Sequence, residues 1–156
     1  MIGKLNEQQM EQLLHEKAVG RIGCYADDIP YVVPISYAYD GKFIYGHTKE
    51  GMKISMMRKN PVVCFEVDEL KDFANWRSVI TWGRFEELKE QPEREEALKN
   101  LVERMLPLVT SETMHLSIDS PFPPQDINSI KGIVFRIRLH HKTGRYEINS
   151  VGTPHQ

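Results

Sequence analysis

Apolar positions fall in short clustered or alternating segments along the chain, a pattern typical of β-strands. Residues 20–26 form the first such segment and predict a strand. Residues 31–39 and 43–47 form two more, and they flank Asp40-Gly41. Because this dipeptide tolerates positive φ, it favours a tight hairpin turn. The pattern therefore predicts that 31–39 and 43–47 pair with each other as antiparallel strands.

Three later segments complete a set of six predicted strands. Residues 62–67 are rich in β-branched side chains, which predicts a central, buried strand. Residues 79–86 and 133–141 follow as the fifth and sixth strands. Hairpin chemistry early in the chain, with helices as insertions, favours an antiparallel barrel or sandwich over a parallel doubly wound sheet.

Three helices are predicted between and before these strands. The first begins at Asn6, whose side chain can cap the first turn while Gln9 reaches back to it. The second covers 51–59 and stops before Pro61, and the third runs from 92 to 106. The first helix also has an apolar face, which we expect to cover the core. That face consists of Met10, Leu13 and Leu14.

Length and composition fit one domain over residues 1–156. No shift in composition suggests a linker, and there is no internal repeat. The proline-rich stretch 110–128 is incompatible with a regular helix or strand, so it is expected to be an irregular loop or arm.

Charge and apolar patterning exclude several classes of function. The formal net charge of −2 gives no positive field for nucleic acid. No apolar run resembles a signal peptide or a membrane span, so we expect a cytoplasmic protein without a membrane partner. Cys24 and Cys64 lie in apolar segments without CxxC spacing, and the six histidines lack the spacing of metal ligands. No metal site is expected.

Three groups of residues could bind a ligand, although each also has a plainer explanation. Pro34 interrupts a strand, which fits either an edge strand or backbone left open for a flat ligand. The segment 47–53 runs into a helix start, where amides, a hydroxyl and an ammonium can converge on an anion, but by residue chemistry alone solvated lysines are the favoured explanation. Trp76-Arg77 could stack on an aromatic ligand, close an interface or anchor a loop to its own core.

In the last predicted strand, apolar and basic residues occupy opposite faces. Ile133, Phe135, Ile137 and Leu139 share one face, whereas Arg136, Arg138 and His140 share the other. The basic row is interpreted as a solvated face. Gly83 is expected to form a bulge and Gly144 a turn.

The order of several blocks resembles the pyridoxamine 5′-phosphate oxidase-like flavoproteins, and the branch most similar is that of the nitroimidazole-resistance proteins. The resemblance extends from the first helix to about Leu88, with a weaker echo at residues 143–145. In chain order the blocks are Gly20-Arg21-Ile22-Gly23, residues 30–37, Asp40-Gly41, Ile44-Tyr45-Gly46-His47, Gly51-Met52-Lys53, residues 60–67, Trp76-Arg77-Ser78-Val79 and Gly83-Arg84.

This resemblance implies a mainly β fold: a six-stranded antiparallel split β-barrel with flanking helices. It also implies a homodimer with FMN in each of two clefts between the subunits. By the same likeness, Val33, Pro34, Ile35 and Ser36 line the isoalloxazine through backbone groups. His47 and Thr48 approach the ribityl-phosphate end, and Lys53 neutralises the phosphate. Trp76, Arg77 and Ser78 reach the cofactor of the partner subunit.

The function implied is that of an FMN-dependent oxidoreductase acting on a small acceptor such as a nitroaromatic or a quinone, with NAD(P)H as a candidate donor. His47 is the candidate catalytic residue, as a proton donor. The Arg-x-x-Pro ending of true pyridoxamine 5′-phosphate oxidases is not found, which argues against vitamin B6 oxidation. A non-catalytic flavin-binding or redox-stress protein and a haem-binding split barrel are the alternatives. Whether Gly144-Arg145 reaches the cofactor is left open.

Overall fold

The computed structural model describes residues 1–105, 127 and 130–149. Within them the chain forms eight strands and three helices. In order these are β1 (Ile2–Lys4), α1 (Glu7–Glu16), β2 (Val19–Ala26), β3 (Ile29–Ser36), β4 (Ala38–Tyr39), β5 (Phe43–Thr48), α2 (Met52–Lys59), β6 (Val62–Asp72), β7 (Asn75–Leu88), α3 (Gln91–Met105) and β8 (Ile133–Glu147). None of these helices is long and apolar enough to cross a membrane.

The strands form one antiparallel sheet in the order β3-β2-β6-β7-β8-β5-β4, and β1 pairs with the far end of β8. β3 and β4 stand at opposite ends of this order, yet only Tyr37 separates them in the chain. The sheet must therefore curl until its two ends meet. The prediction of a mainly β antiparallel barrel with flanking helices is confirmed, and 62–67 is central, as expected.

Two apolar clusters hold the helices against the sheet. α1 and α2 pack on the larger one, where Leu13, Leu14, Ile54 and Met57 are fully buried. Each such side chain contributes roughly 1.5–3 kcal/mol to folding. α3 covers a smaller cluster that lies over β5 and the start of β8. The predicted apolar face of the first helix is buried, and its capping box of Asn6 and Gln9 is present.

The predicted hairpin is only partly correct. The turn exists: Gly41 has a φ of +97°, and the Asp40 carboxylate accepts hydrogen bonds from the backbone amides of Lys42 and Phe43, at 2.9 and 2.8 Å. Yet β5 pairs with β4 over two residues and with β8 over six. The chain turns away at Tyr37, whose amide donates to Ala18, so 31–36 pairs with β2 instead.

Further differences concern strand number and ends. Eight strands replace six, because 31–39 divides in two and β1 has only three residues, too few for a recognisable pattern. β8 continues to Glu147, so Gly144 lies within a strand rather than in a turn. A Cβ there would lie 2.8 Å from Leu5, which explains the glycine by close packing. The register shifts beside Gly83, as expected for a bulge, but the extra residue is His140 on β8, because Trp82 pairs with His141 and Gly83 with Leu139.

The basic row of β8 is not a freely solvated face. Arg136 and Arg138 both donate to the Glu86 carboxylate, at 2.7 and 3.0 Å, and both guanidinium groups lie over the Phe43 ring. The alternation of residues along β8 could not identify Glu86 on β7 as the partner of these two arginines. The predicted loop at 110–128 lies outside the described residues, apart from Ile127.

Candidate functional site

The open edge of β3 carries the first group of predicted ligand-binding residues. Val33 and Ile35 point toward the main core and are half-buried, whereas Pro34 and Ser36 are exposed. β2 pairs with one edge of β3, and no strand of the described chain pairs with the other. Pro34 therefore lies on an edge strand, where a missing amide donor is tolerated.

The hydrogen-bonding pattern shows which backbone groups face that open edge. Tyr37 donates its amide to Ala18, so the residues of β3 in phase with Tyr37 bond to β2. In an antiparallel pair, successive residues alternately direct their backbone N–H and C=O groups toward and away from the partner strand. Ser36, Pro34 and Val32 therefore direct theirs away from β2. Two amides and three carbonyls are thus available to a ligand lying along the edge of β3.

His47 and Thr48, at the end of β5, form the start of the second group. The Nε2 atom of His47 lies 2.6 Å from the carbonyl oxygen of Lys131. Because a carbonyl oxygen can only accept a hydrogen bond, Nε2 carries the hydrogen of the neutral ring and Nδ1 is unprotonated. Burial lowers the pKa of His47, and the nearby Arg94 guanidinium acts in the same direction. The neutral ring can accept a proton or a hydrogen bond through Nδ1.

The segment before β8 is fixed around this histidine. Arg94 of α3 donates to the carbonyls of Ile130 and Gly132, at 2.6 and 3.0 Å. Gly132 has a φ of +102°, and a Cβ there would lie 2.8 Å from the His47 ring. Three successive carbonyls are therefore bound by Arg94 and His47, and the glycine lets the backbone pass the imidazole. Neither Arg94 nor Gly132 was predicted, because contacts between α3 and β8 have no local sequence signal.

Lys53 completes the second group in the first turn of α2. It is half-buried, and among the described residues it forms no ion pair or hydrogen bond. Gly51 provides no side-chain cap, so within the part of the chain that the structure describes the first amides of this helix are open to an anion. Arg58, in the last turn, binds both Glu50 and Glu87 through pairs of hydrogen bonds of 2.7–3.0 Å, which holds the start of the helix against β7.

Trp76, Arg77 and Ser78 lie at the start of β7. The Trp76 indole donates to Glu147 at 3.0 Å. Arg77 donates through Nε to Glu69 at 2.8 Å and through Nη2 to Glu16 at 2.7 Å. These carboxylates are not among the predicted ligand-binding residues, and none has a sequence signal that would have identified it.

Beside Trp76 and Arg77 is a cleft of about 520 Å³, which we call the α1 cleft. It lies between α1, the β6–β7 hairpin and the end of β8. Gln9, Gln12 and Tyr146 contribute to its walls. A smaller polar cleft of about 340 Å³ lies near His140 and Lys142.

The ten predicted residues lie on four elements: β3, β5, α2 and β7. Val33, Ile35, and the neighbours of Lys53 and Ser78, which are Ile54 and Val79, all belong to the larger core cluster. The hydrogen bonds of Trp76 and Arg77 connect them to α1, β6 and β8. Among the described residues, no side-chain hydrogen bond links the residues predicted on β7 to those predicted on β3, β5 or α2.

The outer face of the sheet carries a row of residues that we call the outer-face row. Val32, Gly23, Cys64, Trp82 and His141 are successive register partners on β3, β2, β6, β7 and β8. Val32 is 69% exposed and Trp82 40% exposed, and the Trp82 ring stacks on His141. An exposed apolar strip of this kind is a typical protein-binding surface.

Comparison with known proteins gives consistent results. The family profile described as pyridoxamine 5′-phosphate oxidase matches residues 6–145. An uncharacterized protein of Rhizobium meliloti is 34% identical over 84 residues, which cover 54% of this chain and 56% of that protein. The match therefore spans only about half of that relative's length.

Solved structures share the fold over nearly the whole chain. The crystal structure of a FAD-binding protein from Mesorhizobium loti has a TM-score of 0.73 at 28% identity and covers 94% of this chain and 98% of its own. A candidate 5-nitroimidazole antibiotic resistance protein from Bacteroides thetaiotaomicron has a TM-score of 0.70 at 18% identity and covers 94% and 87%. With the family profile matching residues 6–145, these findings show that this chain belongs to the pyridoxamine 5′-phosphate oxidase family.

Proposed function

We propose that this chain binds FMN in two clefts of a homodimer and acts as an oxidoreductase on a small acceptor such as a nitroaromatic or a quinone. The observation that carries the proposal is the open edge of β3, where Val32, Pro34 and Ser36 direct backbone groups outward. A flat heterocycle with alternating donors and acceptors can hydrogen-bond to such an edge. Pro34 keeps this edge from accepting a further strand, because it offers no amide.

The residues around α2 fit the phosphate end of such a cofactor. Lys53 has no counter-ion among the described residues. The uncapped amides of the first turn of α2 point toward the N-terminal end of the helix, where a phosphate can bind. Thr48 adds a hydroxyl at the end of β5. Arg58 lies in the last turn of α2, at the other end of the helix from these amides, and is not assigned to the phosphate.

The outer-face row supports a second copy of the chain as partner. Isologous packing buries the same apolar strip on both subunits, which removes Val32 and Trp82 from water. In the proposed dimer, Trp76, Arg77 and Ser78 of one subunit complete the cofactor cleft of the other. Cofactor binding and dimerisation are then linked.

A bound flavin would supply the hydride and electron transfer, and the protein would position it and control access of protons and water. His47 would act at the cofactor through Nδ1, because Nε2 is already used on Lys131. Its lowered pKa favours the neutral ring, so a donor role depends on the ring first taking a proton from a substrate or from solvent. NAD(P)H is the proposed electron donor, and the proposed setting is the cytoplasm.

The comparisons support a flavin, since the structure from Mesorhizobium loti is that of a FAD-binding protein. The purified protein should show flavin absorbance, and chromatography of the released cofactor should identify FMN rather than FAD. NAD(P)H-dependent reduction of a nitroimidazole, a quinone or a ferric acceptor would then support the oxidoreductase role. A yellow protein without such turnover would indicate non-catalytic flavin binding, whereas a Soret band without flavin absorbance would indicate a haem protein.

A further inference from the structure

The α1 cleft has the size of a small-molecule site. Its volume of about 520 Å³ lies within the range of ligand pockets, roughly 300–1,000 Å³. Gln9 and Gln12 of α1 form one wall, and the end of β8, with Tyr146, forms another. The β6–β7 hairpin forms the third wall, and β7 lies between β6 and β8 in the sheet. The cleft therefore extends across three neighbouring strands.

Arg77 and Glu69, which both line the α1 cleft, belong to a closed network of ion pairs. Arg77 binds Glu69 at 2.8 Å and Glu16 at 2.7 Å. Glu69 is also bound by Lys17, at 3.1 Å. Two basic and two acidic side chains thus compensate one another. This network adds no net charge to the cleft.

Two further ionic side chains of the cleft, Lys71 and Glu147, have no partner of opposite charge among the described residues. Within the same part of the chain the Lys71 ammonium forms no hydrogen bond either. The Glu147 carboxylate accepts the Trp76 indole proton through Oε2, at 3.0 Å, and its second oxygen has no donor among those residues. The cleft therefore contains one positive and one negative group that the described chain does not neutralise.

A β-bulge places Lys71 in the wall of the cleft. Leu70 pairs with Trp76 and Asp72 pairs with Asn75, so Lys71 is the extra residue of β6 and has no partner on β7. A bulge changes the direction of a side chain, and bulges are frequent beside functional sites. The direction of the Lys71 side chain is therefore set by the irregularity of the strand and not by regular pairing.

The two unpaired charges lie on either side of Trp76. This residue pairs with Leu70 of β6, the neighbour of Lys71, and with Glu147 of β8. Adjacent strands lie about 4.8 Å apart, so the backbones at Lys71 and Glu147 are separated by roughly two such spacings, about 10 Å. A ligand that contacts both groups therefore needs its two charges at opposite ends of the molecule.

Two aromatic side chains provide a surface for the middle of such a ligand. The Trp76 indole is held by its hydrogen bond to Glu147. Tyr146 lies against Gly3, where a Cβ would come within 2.6–2.8 Å of the phenol group. Rings that are fixed in this way can stack on a planar group with little loss of side-chain entropy. An aromatic ring between the two charges therefore fits the cleft.

The glutamines of α1 offer one donor and one acceptor to the ligand. The Gln9 side-chain oxygen accepts the Asn6 amide at 2.9 Å, which leaves its NH₂ group for a carboxylate. Gln12 donates through Nε2 to Glu16 at 2.9 Å, which leaves its side-chain oxygen for an ammonium. This wall therefore suits a ligand that carries both kinds of group.

We infer that the α1 cleft binds a small zwitterion, an aromatic ring with a carboxylate at one end and an ammonium at the other. The carboxylate pairs with Lys71 and the ammonium with Glu147, while the ring lies on Trp76 and Tyr146. Both unpaired charges of the cleft then have a partner. These contacts need no flavin, so the inference does not rest on the proposed function.

Three probes with the same ring test the need for both charges. They are 4-(aminomethyl)benzoate, which carries both charges, 4-methylbenzoate, which is only negative, and 4-methylbenzylammonium, which is only positive. NMR titration of the purified protein near neutral pH gives each dissociation constant. We expect the zwitterion to bind at least about tenfold more tightly than either singly charged probe. Equal binding of the three probes, or no binding of the zwitterion, would overturn the inference.

Lys71→Gln tests the carboxylate end. It should weaken binding of the zwitterion and of 4-methylbenzoate at least about fivefold, and it should change the affinity for 4-methylbenzylammonium less than about twofold. Lys99→Gln is the matched control, because Lys99 is exposed and lies on α3, outside the walls of the cleft. The control should change each affinity less than about twofold.

Glu147→Gln tests the ammonium end with the opposite expected pattern. The zwitterion and 4-methylbenzylammonium should lose affinity, whereas 4-methylbenzoate should not. The new side chain keeps an oxygen that can accept the Trp76 proton, so the wall is retained. Glu103→Gln, at an exposed position of α3, is the control. If either cleft variant weakens both singly charged probes alike, or leaves the zwitterion unaffected, the assignment is wrong.

Flavin absorbance measured in the same titrations separates this site from the proposed cofactor cleft. Zwitterion binding that leaves bound flavin in place, or that occurs in protein without flavin, would support the inference. Displacement of flavin by the zwitterion would assign the α1 cleft to the cofactor and overturn the inference. A protein that takes up no flavin would count against the proposed function alone.

Discussion

The imidazole of His47 donates a hydrogen bond of 2.6 Å to the carbonyl of Lys131, 84 residues further along the chain. This bond joins the end of β5 to the segment that leads into β8. Arg94 binds the carbonyls on either side of it, at Ile130 and Gly132. The candidate catalytic histidine is therefore also a structural contact, and its protonation should be visible in stability.

We expect the stability of the protein to fall as the pH decreases below about 6.5, partly because of His47. Burial lowers its pKa in the folded state below the ordinary value of 6.5, so the unfolded state binds more protons between those two values. The contribution of His47 to the free energy of unfolding therefore rises with pH across that window and is constant above it. Urea denaturation of His47→Gln, whose amide can still donate to Lys131, should show a smaller slope.

The control for this experiment is His140→Gln, which replaces an exposed histidine and should leave the slope contributed by His47 intact. An NMR titration of His47 would give its pKa directly. A value at or above 6.5 would contradict the prediction.

Lys53→Ala should weaken FMN binding by roughly 1.5–3 kcal/mol, the scale of a hydrogen bond to a charged group, without unfolding the protein. Lys59→Ala is the control on the same helix, because Lys59 is exposed and pairs with Asp27 at 2.6 Å. Equilibrium titration with FMN compares the two variants. Equal affinities would remove Lys53 from the proposed phosphate site.

Arg77→Ala should release flavin and shift the protein toward monomer, with flavin affinity lower by about tenfold or more. The proposed dimer needs the guanidinium at the partner's cofactor. Glu16→Gln removes one of its two carboxylate partners but keeps Glu69, and it should retain both dimer and flavin. Light scattering with absorbance detection follows both properties. An Arg77→Ala dimer with full flavin would mean that the ion pairs of Arg77 are only structural contacts of β7 with α1 and β6.

Trp82→Glu should convert the proposed dimer to monomer at micromolar concentration. The charge would lie within the outer-face row, where the second copy packs, and its burial there without a partner would cost several kcal/mol. Trp82→Phe keeps the apolar surface and should stay dimeric. A dimeric Trp82→Glu protein would place the interface elsewhere on the chain.

Glu11→Ala should destabilise the fold by about 1–3 kcal/mol, measured by urea denaturation. The Tyr39 hydroxyl donates to this carboxylate at 2.8 and 2.9 Å, and the ammonium of Lys142, only 16% exposed, binds it as well. Glu7→Ala is the comparison, because Glu7 also binds Lys142, at 2.6 Å, but is 69% exposed. Its loss should cost less than about 1 kcal/mol.

The sequence by itself determined the local elements of this protein. The alternation of apolar residues, the capping box at Asn6, the turn at Asp40-Gly41 and the stop before Pro61 all depend on neighbours a few residues apart. Such interactions can be inferred from the order of residues alone. The order of the blocks also indicated the family, and with it the split barrel.

The tertiary structure decided which of these elements meet. β5 pairs with β4 over two residues but with β8 over six, although Thr48 and its partner Ile133 are 85 residues apart in the chain. Arg77 binds Glu16 from 61 residues away, and Arg94 and Gly132 enclose His47. Strand register and closure of the barrel fix these partners, and both depend on packing of the whole core rather than on local patterns.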